Sequence, residues 1–394
     1  MTNTEETNPQ NQSRIGLGGL TRPAVIINRN ATLTRAQAKA DYTWTGSYRN
    51  GKPVFLVPTP KVISKKSAFS HKGLCDGPTF TLGLSCFFSC LFCYVSSLLG
   101  RNPAVLRIIK ETGLAFAQIA IERADPMPVL LSELVARSGQ PRFTDPSDRR
   151  VMFGSPLVDV AANLPTARQT IAACRLILKK TRWQIRLLSK SALLRLVAEE
   201  LKDHKDRVIF GLSTGTIPDK LAMSFELGAS APSARIRTLH WLQANGYRTY
   251  GMICPILPQV DYEAFAVTAA DMIRADQCEH VWAEVLNVRG KSLLQTCFGL
   301  RRGGFEDQAN LLESVSGPEN KAAWEEYARA AFLALTRVVG PEKLRFMQYV
   351  QQGQRQWWQR HEPLGAVLLG AHATPAMVSS NPASKRSGRS LPNR

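Results

Sequence analysis

The chain has 394 residues, 44% apolar and 21% charged, which excludes wholesale disorder. That length leaves room for two to four small domains or one large α/β barrel with extensions. Fifty Lys+Arg against thirty-one Asp+Glu give a net charge of +19; this favours nucleic acid over anionic membrane as a partner, although a generically basic solvated surface has the same composition.

The first twenty residues lack an apolar run of the secretory kind. Eight cysteines in such a chain are expected to be free or metal-bound in a reducing cytoplasm. Residues 1–45 are polar without a sustained period and read as a flexible N-terminal arm; 46–290 read as the core, 291–372 as a mainly helical extension, and 373–394 as a basic disordered tail. Phe80–Leu84 and Arg150–Gly154 are strand candidates, followed by a helix over Pro165–Lys180. Trp183–Leu188 alternates like a strand, Ser191–Lys202 reads as a helix with a Ser cap, and Arg207–Leu212 is a further strand. A helix over Ser233–Asn245 stops at Gly246, the strand Tyr247–Cys254 is broken by Pro255, Asp261–Arg274 is helical, and Val281–Val288 is a sixth strand. Residues 319–360 read as helical. Such alternation predicts a parallel sheet covered by helices, open or closed into a barrel.

The chemistry concentrates in Gly83-Leu-Ser-Cys86-Phe-Phe-Ser-Cys90-Leu-Phe-Cys93-Tyr94. Three cysteines at x3 and x2 spacing can turn three thiolates toward one point. Soft thiolates suit an iron–sulfur cluster, and three ligands for four irons leave one iron free to bind a small chelating molecule. Structural zinc is the competing metal, but it needs a fourth ligand, for which Cys75 and His71 are the nearest candidates. Cys75, Cys174, Cys278 and Cys297 have no paired spacing of their own.

Cys86-x3-Cys90-x2-Cys93, with aromatic Phe92 before the last cysteine, resembles the radical SAM signature. The resemblance implies a [4Fe–4S] cluster with S-adenosyl-L-methionine on its fourth iron. It also implies a reducing electron donor of flavodoxin or ferredoxin type, hydrogen abstraction from a substrate, and a partial (β/α)6 TIM-like barrel with a helical C-terminal extension. Further residues are similar to the spore photoproduct lyase-like branch, also called DNA repair photolyase-like: Phe225 to Ile236, Leu188-Ser189-Lys190-Ser191, and Asn245-Gly246-Tyr247 with Ile253-Cys254-Pro255-Ile256. That similarity covers about residues 75–290.

Carried over by position, Lys190 would pair with the S-adenosylmethionine carboxylate, or be a solvated lysine at a strand end. Ser189 and Ser213 would hydrogen-bond its methionine or ribose part, or cap helices. Phe92 would contact the adenine or pack in the core. Arg235 would reach the carboxylate or pair with Glu226. Gly154-Ser155 would present backbone to the amino group, with Asp159 a weaker match for an acidic residue nearby. Tyr94 and Cys254 are the candidate catalytic residues: Cys254 stands where the branch has alanine and is a hydrogen donor, a radical quencher, or simply a small buried residue. Two departures stand against spore photoproduct repair itself. No cysteine lies near Arg137, where the branch keeps a hydrogen donor, and Phe92 replaces a tyrosine.

Nucleic acid is also suggested by Lys179-Lys180-Thr-Arg182-Trp-Gln-Ile-Arg186, by Arg355-Gln-Trp357-Trp358-Gln-Arg360-His361, and by Lys385-Arg386 with Arg389. The alternative for Trp357 and Trp358 is a lid on the open end of the barrel. The expected substrate is therefore a nucleic-acid base or nucleotide; the alternative function is a basic nucleic-acid-binding protein with a structural three-cysteine metal site. The uncharged stretch 77–100 is long enough to span a bilayer, but Pro78, Gly83 and four serines argue against an anchor, so no membrane is expected. The oligomeric state is left open.

Overall fold

A computed structural model describes residues 41–287, 291–316, 320–350 and 352–370. The expected arm up to residue 40 and the expected tail from 371 lie outside the described residues. The first strands in chain order are β1 (Thr43–Arg49), β2 (Lys52–Val57), β3 (Ile63–Ser64), β4 (Thr79–Phe80), β5 (Gly83–Ser85) and β6 (Ala120–Arg123). There follow β7 (Val151–Gly154), β8 (Gln184–Ser189), β9 (Val208–Ser213), β10 (Arg248–Ile256), β11 (Val281–Val285), β12 (Leu344–Tyr349) and β13 (Ala366–Leu369).

They form two sheets. The smaller is ordered β1-β2-β6-β5 and the larger β13-β12-β11-β10-β9-β8-β7-β4-β3. Every pairing in the larger sheet is parallel except β3 with β4. Helices separate the parallel strands, as crossover connections require. The sheet is thus a mixed α/β assembly with nine strands where six were expected. Its edges are β3 and β13, and among the described residues no pairing joins them.

Alternation explains the two faces. Met152, Ile185, Leu187, Phe210, Leu212, Ala283 and Phe346 share one core with residues of the helices Leu164–Lys180, Pro232–Ala244, Tyr262–Ile273 and Lys321–Val339. Phe153, Ile209, Met252, Trp282 and Met347, each next in the chain to a residue of that core, face the other way and pack with Leu74 and Cys75. β9 is buried at all six positions, as the interior of a doubly covered parallel sheet demands. At Gly211 a Cβ would come within 2.3 Å of the Tyr250 ring, so only glycine lets β10 lay that ring across β9.

The second face holds a cation. Arg186, expected to form part of a basic surface stretch, is 6% exposed. Its guanidinium stacks over Trp282 at 4.6 Å and donates to the carbonyls of Gly73 (3.2 Å) and Leu74 (2.8 Å). Trp282 Nε1 donates to the Lys72 carbonyl at 2.8 Å. The segment 68–75 is thereby fastened across the strands it covers.

Four expectations are corrected. Phe80–Leu84 is not one strand: Thr79–Phe80 stays in the larger sheet, while Gly83–Ser85 crosses to pair with β6. Pro255 does not break β10, because the register shifts between Ile253 and Ile256 and the ladder needs no N–H there. Within 319–360, Leu344–Tyr349 is a strand, parallel to β11 and β13. β1 begins at Thr43, inside the expected arm, and joins β2 through Asn50 (φ 50°) and Gly51 (φ 72°), a turn whose twist suits a hairpin.

Arg186→Ala leaves two buried carbonyls without their donor. It is expected to cost roughly 1.5–3 kcal/mol, read as a lower urea midpoint at unchanged slope.

Candidate functional site

The ends of the parallel strands meet at one cavity. Gly154, Ser189, Ser213, Cys254, Val285, Tyr349 and Leu369, from β7 through β13, all line a space of about 710 Å³. Ligands of parallel sheets sit at this carboxyl end because the crossover loops converge there.

Cys86, Cys90 and Cys93 line the same cavity. They lie on the loop between β5 and the short helix Val95–Leu99. The loop is held by backbone bonds to residues 225–228: Leu91 N donates to the Phe225 carbonyl at 2.9 Å, and Gly228 N to the Phe88 carbonyl at 2.7 Å. A Cβ on Gly228 would meet Phe88 Cα at 2.9 Å, so the close approach requires glycine. All eight cysteines are free. Burial raises the three loop thiols. Cys86 is pushed up to about 12 by burial and then by the Asp159 carboxylate, and Cys90 rises well above its usual value through burial and then Glu226. Cys93 is raised chiefly by burial. The donor set fits a thiophilic metal group, since three free thiols share one loop and one cavity. Among the described residues, however, no three His, Cys, Asp or Glu side chains stand at metal-holding geometry.

Beside the loop lies a buried ion triad. Glu226, 2% exposed, accepts from Lys190 Nζ at 2.5 Å and from Arg235. Lys190 also donates to the Cys254 carbonyl at 3.2 Å, and its ammonium lies 5.1 Å from the centre of the Phe92 ring. Arg235 donates to the Ser230 carbonyl at 2.8 Å and to the Ser213 carbonyl. The alternatives for Arg235 therefore resolve to Glu226. It is 1% exposed and absent from the cavity wall, so it stands behind Glu226 and does not face a ligand there.

Asp159 organises the end of β8. Its carboxylate accepts from Ser189 Oγ (2.7 Å) and Lys190 N (2.7 Å), and burial raises its pKa. Ser213 Oγ donates to the Cys254 carbonyl at 2.6 Å. Ser155 sits in the left-handed region at φ 49°, with its buried hydroxyl lacking a protein partner. Phe92 packs edge-on against Phe225 at 5.7 Å while lining the cavity. Lys190, Ser189, Ser213, Ser155, Phe92, Tyr94 and Cys254 are thus brought together with the three cysteines.

Tyr94 donates to the Pro156 carbonyl at 2.7 Å. Cys254 Sγ lies 3.9 Å from Glu284 Oε2, and its thiol is pushed up to about 12 by burial and then by Glu284. Glu284 pairs with Lys72 at 3.5 Å, and the Lys72 ammonium lies 5.4 Å from the Tyr349 ring centre. The sequence reading missed Lys72, Glu284 and Tyr349. Lys72 and Glu284 lie 212 residues apart, and no local pattern announces such a pair.

The aromatic stretch near the C-terminus takes no part in the cavity. Trp358 is fully buried, donates to Glu325 Oε1 at 2.5 Å and stacks on Phe346. Trp357 stacks on His361 at 3.8 Å. Neither covers the mouth of the site, and Lys385, Arg386 and Arg389 lie outside the described residues. The uncharged stretch 77–100 forms two short strands, the cysteine loop and a five-residue helix; no described helix is long and apolar enough to cross a membrane.

No protein-family model matches the chain. An uncharacterized protein, ORF301, of Acidianus two-tailed virus is 24% identical over 265 residues, which cover 63% of this chain and 79% of that one. Among solved structures, a point mutant of spore photoproduct lyase has a TM-score of 0.47 at 12% identity, covering 72% of this chain and 79% of its own. Spore photoproduct lyase complexed with dinucleoside spore photoproduct has a TM-score of 0.44 at 13% identity. A double mutant with bound AdoMet and dinucleoside spore photoproduct has a TM-score of 0.44 at 12% identity. Both of these cover 67% of this chain and 80% of their own. All three scores fall below 0.5, a loose likeness.

Glu226→Gln removes the charge shared by Lys190 and the buried Arg235. A thermal melt is expected to show a loss of roughly 3–5 kcal/mol. Cys254 is expected to stay protonated and resist iodoacetamide at pH 9. Glu284→Gln removes a negative neighbour, lowers the thiol pKa and is expected to speed labelling several-fold, read by peptide mass spectrometry.

Proposed function

We propose that the chain is a radical SAM enzyme whose Cys86, Cys90 and Cys93 hold a [4Fe–4S] cluster beside S-adenosyl-L-methionine. The observation that carries this reading is the placement of three cysteines at x3 and x2 spacing in the wall of one cavity, at the carboxyl ends of parallel strands. When bound, the reduced cluster supplies the electron that cleaves S-adenosylmethionine to methionine and a hydrogen-abstracting 5′-deoxyadenosyl radical. The run of strand ends around a single cavity supports reading the larger sheet as an incomplete barrel.

The chain's own residues bind, orient and exclude water. Lys190 presents a cation to the cavity while Glu226 fixes its position, which suits a carboxylate-bearing ligand. The hydroxyls of Ser155, Ser189 and Ser213 and the ring of Phe92 are the remaining contacts for a nucleoside ligand. Cys254 and Tyr94 both line the cavity, which supports reading them as the residues that return a hydrogen atom to a substrate. Burial keeps the Cys254 S–H protonated, the form that a hydrogen donor needs.

For the substrate we favour a nucleic-acid base or nucleotide, on the net charge of +19 and on exposed cations such as Lys179 and Arg182. A flavodoxin- or ferredoxin-type donor and a cytoplasmic setting belong to the same reading.

Anaerobic reconstitution with iron and sulfide tests it. About four irons per chain are expected, with 5′-deoxyadenosine formed from S-adenosylmethionine and dithionite by the unmutated protein and not by Cys90→Ala. One bound zinc and no 5′-deoxyadenosine would refute the enzyme reading in favour of a structural metal site.

A further inference from the structure

The smaller sheet delivers a single cation to the cysteine loop. On β2, Phe55 and Val57 pack with Leu84 and Val95, whereas Val54 packs with Phe87 and Phe88 beside Cys86 and Cys90. Lys52, two residues before Val54, shares that second face, where the alternation calls for an apolar residue. It is 5% exposed, and its Nζ donates to the Cys86 carbonyl at 3.0 Å.

No carboxylate forms an ion pair with Lys52 among the described residues. A buried ammonium without a counter-charge is disfavoured, and native proteins pair such groups or place them beside a metal centre. The Lys52 ammonium lies instead against the loop that carries Cys86, Cys90 and Cys93. As thiols they are neutral; as metal ligands they are thiolates and supply the missing negative charge.

We propose that Lys52 is a positioning and charge-balancing residue for the group held by Cys86, Cys90 and Cys93. Its ammonium fixes the Cys86 carbonyl and offsets the charge of the thiolates. The inference rests on the cluster reading of those cysteines. A fixed cation at this place favours the more negative, reduced state of a cluster, so its removal makes reduction harder.

The test uses the full chain, reconstituted anaerobically, as the unmutated protein and as Lys52→Arg, Lys52→Gln and Lys52→Met. Fold is checked by near-ultraviolet circular dichroism, iron is counted, and the one-electron reduction equilibrium is read by electron paramagnetic resonance during a potentiometric titration. Gln keeps the length and a hydrogen-bond donor without the charge. Both Gln and Met are expected to shift the equilibrium about tenfold toward the oxidised form, a midpoint about 59 mV lower, while Arg stays near the unmutated value. Folded Gln or Met protein that loses its iron while Arg keeps it also supports the charge requirement. Gln and Met clusters that titrate with the unmutated protein overturn the inference, as does loss of iron from all three folded variants. Failure of the unmutated protein to take up iron refutes the cluster reading instead, and the inference falls with it.

Discussion

Glu226 gathers two strand ends and the cysteine loop onto one carboxylate. Its carboxylate is shared by Lys190, 36 residues earlier, and Arg235, nine residues later. Its backbone bridges Cys90 on the cysteine loop. Through Lys190 it fixes the end of β8, and through Arg235 it reaches the last residue of β9. A buried cation–anion–cation triad contributes little net stability compared with an apolar replacement. What it does here is fix position: neighbouring strand ends and the thiol loop are held to one buried carboxylate.

The same logic governs the interior face of the larger sheet. Arg186 and Lys72 are placed where apolar side chains would pack more cheaply. Each is satisfied by carbonyls, aromatic rings or Glu284 contributed by segments remote in sequence. Helices cover the other face by simple apolar burial, and that side carries almost none of the polar chemistry. The fold therefore separates its work: one face is held by hydrophobic contact, and the other by a sparse polar network that specifies position.

This division explains what the sequence reveals. The parallel strands β7 to β11 and the helices between them stand out because a sheet buried on both faces leaves near-continuous apolar runs such as Val208–Ser213. β12 is missed because LRFMQY sits among helix-forming residues and becomes a strand only through its parallel neighbours. The β1–β2 hairpin is missed because Thr, Ser and Arg disguise its strands, although Asn50-Gly51 is a strong turn signal. In the site, spacing picks out Cys86, Cys90 and Cys93, and the resemblance picks out Lys190, Ser189 and Ser213. Glu284, Lys72 and Lys52 carry no local signal, because each matters only through partners that the fold brings from elsewhere.

The order of strands β7 to β13 in space is their order along the chain. As the polypeptide leaves the ribosome, each new strand can dock on the edge left by the one before, so most of the sheet can grow by simple addition. The segment 68–75 is the exception. It is synthesised before β7, yet its anchors arrive later and apart, Arg186 with β8 and Trp282 only with β11. Until Trp282 emerges, 210 residues after Lys72, the segment lacks one of its fastenings while the apolar face beneath it, from Phe153 onward, is being laid down strand by strand.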